Sequence, residues 1–245
     1  MLDIFYENWH ILLVGQFPEG PLGGLALTLL LSIFGLIISF PISILLALAR
    51  LSSLRLFSVP ATVFVYLIRG VPLIMLIFWS YFMVPLLLKH SVSGFTTLLC
   101  TLIAYTAAYL SEVVRAGILA LPRGQTEASR ALGLSYRQTT GSIILPQALY
   151  NMVPSLVTQF VSTIKDTSLG YVISVQELTY SANQVNNSLL TRPLAVFLTL
   201  AMMYFVVCFC LSQLANFLER RIERRRSGRP ATARSYSNDS ILQSE

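Results

Sequence analysis

Apolar residues run through this chain in long blocks that short polar stretches separate. Five of these blocks approach the length of about 20 residues that a helix needs to cross a membrane. They cover residues 25–49, 72–88, 96–121, 143–164 and 193–218. The second block has two interpretations: it begins at Pro72 as a short span, or it runs from Pro60 and is broken by Arg69, Gly70 and Pro72. The pattern predicts an all-α, polytopic membrane protein with about five transmembrane helices.

Charge is scarce in this chain and lies mostly at the ends of the predicted spans. Only 11% of the residues are charged, against about 25% in soluble proteins. Arginines flank one side of the spans at Arg50, Arg55, Arg115, Arg123, Arg130, Arg137, Arg220, Arg221 and Arg224–Arg226. The first twenty residues hold Asp3, Glu7 and Glu19 and no basic residue. By the positive-inside rule the N-terminus is predicted to lie outside and the C-terminus in the cytoplasm. Most of the basic residues behind the net charge of +6 therefore lie at the predicted membrane boundaries. No nucleic-acid partner is expected.

These boundaries predict three segments. Residues 1–22 form an external N-terminal segment, and residues 23–219 form the transmembrane domain, with a cytoplasmic loop at 122–142. Residues 220–245 form a tail that is basic and then polar, and the polar part is predicted to be disordered because it has too few apolar residues to fold.

The motifs of common enzymes are missing from the sequence. There is no G-x-x-x-x-G-K-[ST] loop for ATP phosphates, and neither lysine, Lys89 or Lys165, follows a glycine. His10 and His90 lie near span ends, and no H-E-x-x-H or G-x-S-x-G occurs. We therefore expect a protein that is not an enzyme and that binds neither a metal nor a cofactor itself.

Charged residues within the predicted spans are candidates for structure or gating, because burying them in lipid is costly. Glu112 and Arg115 stand three residues apart and can pair on one helix face. A structural ion pair is favoured over direct substrate contact. Arg69 has two interpretations of equal weight: it extends to the membrane interface, or it lies deep and needs a carboxylate or carbonyl partner.

Polar residues gather at the end of the fourth predicted span. They are Gln159, Ser162, Thr163, Lys165, Asp166, Thr167 and Ser168. Together they offer an anion for an ammonium group and donors for a carboxylate, so they form a candidate path for a zwitterionic solute. The alternative is that Lys165 and Asp166 only mark the outer membrane boundary. The following residues, 170–193, are predicted to be an external loop, with a gating segment around Glu177 as the less favoured alternative.

The polar loop after the third span has the local pattern of two short helices joined by a glycine turn. Gly133 is predicted to adopt a left-handed conformation. Ser135 and Gln138 match a capping box, in which each side chain bonds the other residue's backbone N–H. Such a loop between two membrane spans is suited to being gripped by another protein.

Five motifs in fixed order resemble permeases of the ABC-type importers for polar amino acids, such as histidine, glutamine, arginine and glutamate/aspartate. These motifs are RGVPL at 69–73, AAYLSEVVRAGI at 107–118, LPRGQTEASRALGLS at 121–135, ILPQAL at 144–149 and KDTSLGYVISVQEL at 165–178. The loop resembles the EAA loop of that family. Ser129 departs from the family pattern, which has alanine there.

The resemblance implies an assembly of two permeases with two cytoplasmic ATPase subunits, which use the ATP, and an external solute-binding protein. The ATPase would dock on Glu127, Ala128, Ser129, Gly133 and Leu134. The second permease would be another copy or a sister chain, in a bacterial inner membrane. The implied substrate is an amino acid, with glutamate/aspartate or glutamine favoured. The alternatives are half of a secondary amino acid transporter or a membrane scaffold protein.

Overall fold

The computed structural model describes residues 2–227, and no strand forms within that range. The helices are α1 Leu2–Val14, α2 Gly24–Leu51, α3 Arg55–Gly70, α4 Leu73–Leu88, α5 Gly94–Leu119, α6 Arg123–Ala131, α7 Tyr136–Gln138, α8 Leu145–Asp166, α9 Leu178–Leu189 and α10 Pro193–Ser227. A π-helical segment, Thr139–Ile144, joins α7 to α8, and a 3₁₀ helix, Thr167–Ile173, follows α8. The prediction of a helical membrane protein is confirmed. The polar tail lies outside the described residues from residue 228 onward.

Three helices in the described part of the chain are long and apolar enough to cross a membrane. They are α2, α5 and the Pro193–Ile222 part of α10, and the pair α3 and α4 makes a fourth span if it is counted as one broken span. Helix α8, predicted as the fourth span, has 22 residues but is not among them, and it carries polar residues along its length. The count of five spans and the orientation of the termini remain predictions.

A sharp break separates α3 from α4. The two helices meet at an angle of 106°. Val71 is extended, with φ −115° and ψ 137°, as expected for a residue before a proline, and Pro72 then begins the next helix. The structure therefore supports the second interpretation of this region, an apolar stretch broken around Gly70 and Pro72, although α3 begins at Arg55 and not at Pro60.

Helices α2 and α5 form the most extensive helix pair among the described residues, and small side chains are frequent at the buried positions of both. Those buried on α2 include Ser32, Gly35, Ser39, Ser43 and Ala47, and those on α5 include Thr101, Ala107, Ala108 and Ser111. Small side chains allow two backbones to approach closely, which is how membrane helices gain packing energy where lipid gives no hydrophobic drive. Most of the α10 span, in contrast, is exposed: only 11% of it is buried.

The segment after α8 is not the plain loop that was favoured from the sequence. It forms the 3₁₀ helix and α9, and Glu177 between them is fully buried. Two hydrogen bonds join this segment to the start of α2. The Gly24 N–H donates to Gln176 O at 2.9 Å, and the Leu178 N–H donates to the side-chain hydroxyl oxygen of Thr28 at 3.1 Å. Apolar residues of α9, among them Leu178, pack with Leu12 of α1. Packing against α1 and α2 therefore orders this segment. Its polar composition gave no indication of that burial.

Candidate functional site

Helix α6 ends in a Schellman motif centred on Gly133. Gly133 has φ +84°, as predicted. Its N–H donates to Arg130 O at 3.0 Å, and the Leu134 N–H donates to Ser129 O at 3.2 Å. These two bonds satisfy carbonyls that the helix end would otherwise leave free.

The capping box that follows Gly133 is confirmed. Ser135 N–H donates to Gln138 Oε1 at 2.9 Å, and Gln138 N–H donates to Ser135 Oγ at 3.4 Å. A further bond links this loop to α8, because Gln147 Nε2 donates to Gln125 Oε1 at 3.0 Å. The predicted order of helix, glycine turn and helix is therefore present, and α6 is tied to the start of α8.

The predicted docking residues differ in their exposure. Glu127, Ala128 and Gly133 are exposed, and Leu134 is half-buried. Ser129 is buried, and its Oγ donates to Gln125 O at 2.6 Å. Four of the five residues thus present surface to a partner, while Ser129 faces inward and supports α6. Docking of an ATPase on these residues remains a prediction.

Glu112 is the centre of a cluster of charges that joins three helices. Arg115, one turn along α5, contacts its carboxylate, with Nε at 3.1 Å from Oε1. Arg50 at the end of α2 lies 2.5 Å from Oε2 through its Nη1, and Arg69 of α3 lies 3.7 Å from the same oxygen. The predicted pair of Glu112 and Arg115 is present, and two more arginines surround it. Three guanidinium groups against one carboxylate leave the cluster with an excess of positive charge.

Two of the arginines also lie over aromatic rings. The guanidinium of Arg50 is 5.6 Å from the centre of the Tyr66 ring, and that of Arg69 is 5.1 Å from the Tyr109 ring. Cations are attracted to ring faces at such distances. Of the two interpretations of Arg69, the structure favours the one in which a carboxylate partner lies nearby, although its side chain stays 34% exposed.

A cavity of about 630 Å³ opens between α3, α5 and α8 beside the charge cluster. Its polar lining residues are Arg69, Tyr109, Glu112, Asn151, Ser155 and Gln159, and Gly117 and Met152 are among the apolar ones. The volume lies in the range of small-molecule sites, which combine apolar walls with a few convergent polar groups. It offers both a cation and hydrogen-bonding amides to a small polar solute.

Of the residues predicted for the solute path, Gln159 alone lines this cavity. Thr163 is fully buried, with its hydroxyl donating to Gln159 O at 2.9 Å. Lys165 is exposed, whereas Ser162, Asp166 and Ser168 are half-buried, and the Ser168 hydroxyl donates to Lys165 O at 2.6 Å. The structure therefore does not gather the seven residues into one site: Gln159 lies at the cavity, Thr163 and Thr167 lie in the core, and the other four lie around the end of α8.

Arg50, Asn151 and Ser155 belong to this region but were not singled out from the sequence. Arg50 was assigned only to the basic edge of the first span, and the other two were counted as ordinary residues of the fourth. A helical stripe formed by Asn151, Ser155 and Gln159, each four residues apart, was the available signal.

Glu177 caps the N-terminus of α9 from a buried position. Its carboxylate accepts from the N–H groups of Thr179 at 2.8 Å and Tyr180 at 2.9 Å, and from the Tyr204 hydroxyl at 3.0 Å. Removal from water raises the pKa of Glu177 to about 7, against the opposing effect of these bonds. The residue ties α9 to α10 at the end of the molecule away from α6.

The fold and these features define a polytopic membrane protein with a polar cavity among its helices and an exposed helix–turn–helix loop. A family model described as "Binding-protein-dependent transport system inner membrane component" matches residues 39–224. The chain belongs to this family of ABC transporter permeases, and the prediction of an importer permease is confirmed.

Curated relatives agree with this assignment. The chain is 37% identical over 209 residues to the inner membrane amino-acid ABC transporter permease protein YhdY of Escherichia coli (strain K12), covering 84% of this chain and 57% of YhdY. It is 36% identical to the probable glutamine ABC transporter permease protein GlnP of Bacillus subtilis (strain 168), covering 81% of this chain and 91% of GlnP. The L-cystine transport system permease protein TcyB of the same strain is 34% identical, with 82% and 86% covered.

Solved structures share the fold. A crystal structure of an amino acid ABC transporter with histidines has a TM-score of 0.75 and 27% identity, and the match covers 90% of this chain and 94% of that one. An inward-facing structure of the MetNI methionine ABC transporter has a TM-score of 0.64 at 18% identity, covering 91% and 97%. The second match carries the fold alone.

Proposed function

We propose that this chain is the membrane-spanning subunit of an importer for polar amino acids, driven by ATP that a separate ATPase subunit hydrolyses. Glutamate/aspartate or glutamine are the favoured substrates. The observation that carries the proposal is the exposed loop Arg123–Gln138, with its glycine turn and capping box intact, in a chain whose family and relatives are ABC transporter permeases.

The proposed assembly has two permeases, as two copies of this chain or one copy with a sister chain, two ATPase subunits and an external solute-binding protein. Each permease would cross the bacterial inner membrane about five times, with its N-terminus outside and α6 in the cytoplasm. The basic residues near α6 support this orientation. The ATPase would grip Glu127, Ala128 and the Gly133 turn.

Solute would enter the cavity beside Arg69 and Gln159. The excess positive charge around Glu112 suits the carboxylate that all amino acids carry, and the amides of Asn151 and Gln159 can bond the rest of the solute. Lys165, Asp166 and Ser168 would line the route between this cavity and the outer face.

Uptake tests the proposal directly. Cells that lack the chain and cells that regain it are supplied with labelled glutamate, aspartate, glutamine, histidine, arginine or cystine. We expect uptake of at least one of these solutes to be restored, and to be lost again when the cells are depleted of ATP. Restoration of none of them would refute the proposed substrate class.

A further inference from the structure

The two oxygens of the Glu112 carboxylate have different partners. Oε1 accepts a hydrogen bond from Arg115, whereas Oε2 faces two other guanidinium groups. Arg50 Nη1 is 2.5 Å from Oε2, but Arg69 Nη1 is 3.7 Å from it, which is too far for a hydrogen bond. Arg50 therefore makes the hydrogen bond at Oε2, and Arg69 is a more distant ionic neighbour of the same oxygen.

Burial separates the two arginines further. The Arg50 side chain is 6% exposed and the Arg69 side chain is 34% exposed. Arg50 is thus held in place by a carboxylate and by the Tyr66 ring, away from the cavity. Arg69 lines the cavity, and its guanidinium makes no hydrogen bond to the residues that the structure describes.

We propose that Arg50 is a positioning residue for solute binding: by occupying Glu112 Oε2, it keeps the Arg69 guanidinium available to the carboxylate of a solute in the cavity. The inference rests on the proposed function, because the cavity must receive a solute that carries a carboxylate. Without Arg50, Oε2 would attract Arg69, whose long side chain has only a short distance to move. The protein's own carboxylate would then compete with that of the solute.

Solute binding to the purified complex of this chain with its ATPase, without the external binding protein, is the direct measurement. The probes are labelled glutamate, aspartate, glutamine, histidine and arginine, and Kd is determined for each one that wild-type protein binds. We expect Arg50→Gln to raise Kd about tenfold, the size of one charge-assisted hydrogen bond. Arg55→Gln is the matched control, because Arg55 is exposed and forms no ion pair with the side chains that the structure describes, those of residues 3–222; its Kd should not change.

A double variant separates positioning from simple support of the fold. Arg50→Gln combined with Glu112→Gln removes the competing carboxylate as well, so Kd should return to within about twofold of wild type, the scatter of neutral substitutions. Arg50→Lys keeps a cation beside Oε2 and should also bind nearly as wild type does. A purely structural role would instead lower the yield of complex in the single and double variants and leave Kd unchanged.

The inference is overturned if Arg50→Gln binds as tightly as wild type, or if the double variant binds as weakly as the single one. It also fails if wild-type chain restores uptake in cells but the purified complex binds none of the probes, an outcome that leaves the proposed function standing. If wild-type chain restores no uptake either, the proposed function fails and the inference fails with it.

Discussion

Gly133 offers the sharpest test of the loop. Its φ of +84° lies in the left-handed region, yet a Cβ added there would meet no heavy atom within 4 Å. The cost of Gly133→Ala within this chain is therefore backbone strain alone, roughly 1–2 kcal/mol. Such a cost would raise the population of the opened turn about five- to thirtyfold.

Trypsin can report that population, because exposed Arg130 and Arg137 flank the turn and cleavage follows the open fraction when opening is fast. Cleavage after Arg130 and Arg137 should accelerate in Gly133→Ala by the same factor. Gly133→Asn should stay close to wild type, since asparagine tolerates the left-handed region. Gly141→Ala is the matched control: its Cβ also meets nothing within 4 Å, and its φ is ordinary. Equal cleavage of Gly133→Ala and Gly141→Ala would refute the reasoning.

Docking is tested at the same position with a larger side chain. Gly133→Arg places a long, charged group on the surface that the ATPase is proposed to grip. Within the described part of the chain its Cβ meets no heavy atom within 4 Å, so the added cost inside this chain is the backbone strain that Gly133→Ala also carries. Uptake should be lost while the protein remains in the membrane. Normal uptake by Gly133→Arg would contradict docking at this turn, even if the strain argument holds.

Four further substitutions follow from the structure. Gly24→Ala combines a φ of +57° with a Cβ that collides with a backbone carbonyl of α1, so the yield of folded protein in the membrane should fall sharply. Gly70→Ala has open space around its Cβ and should change stability by less than about 0.5 kcal/mol. Ser135→Ala removes the capping box and should destabilise the loop by about 1 kcal/mol, seen as faster trypsin cleavage. Burial raises the pKa of Glu177 from 4.5 to about 7, so between these pH values the folded protein binds a proton that the unfolded chain releases. Thermal stability should therefore fall as pH rises from about 4.5 to 7. Glu177→Gln should weaken this dependence on pH.

Local features were predictable from the sequence because neighbouring residues decide them. The turn at Gly133 and the box formed by Ser135 and Gln138 depend on residues a few positions apart, as does the pair of Glu112 and Arg115. The break at Pro72 depends on a single ring that removes a backbone donor. In each case the sequence contains the whole cause.

Features that depend on distant packing were missed or left open. Arg50 and Glu112 are 62 residues apart, and nothing in one sequence indicates which of the many arginines meets that carboxylate. The segment around Glu177 was expected to be a loop because its composition is polar. The helical spacing of Leu178, Ala182 and Val185, all buried, was the signal that composition masked.

The helical element that follows the loop contains a proline beside the cavity. From Tyr136 to Ile173 the chain is helical throughout, passing from α7 through the π-helical segment and α8 to the 3₁₀ helix. Within α8, Pro154 cannot donate a hydrogen bond to the preceding turn, and such positions are where helices bend. Pro154 directly precedes Ser155 in the cavity wall. If an ATPase docks on the loop as proposed, we expect a displacement of the loop to bend α8 at Pro154 and so to change the shape of the proposed solute site.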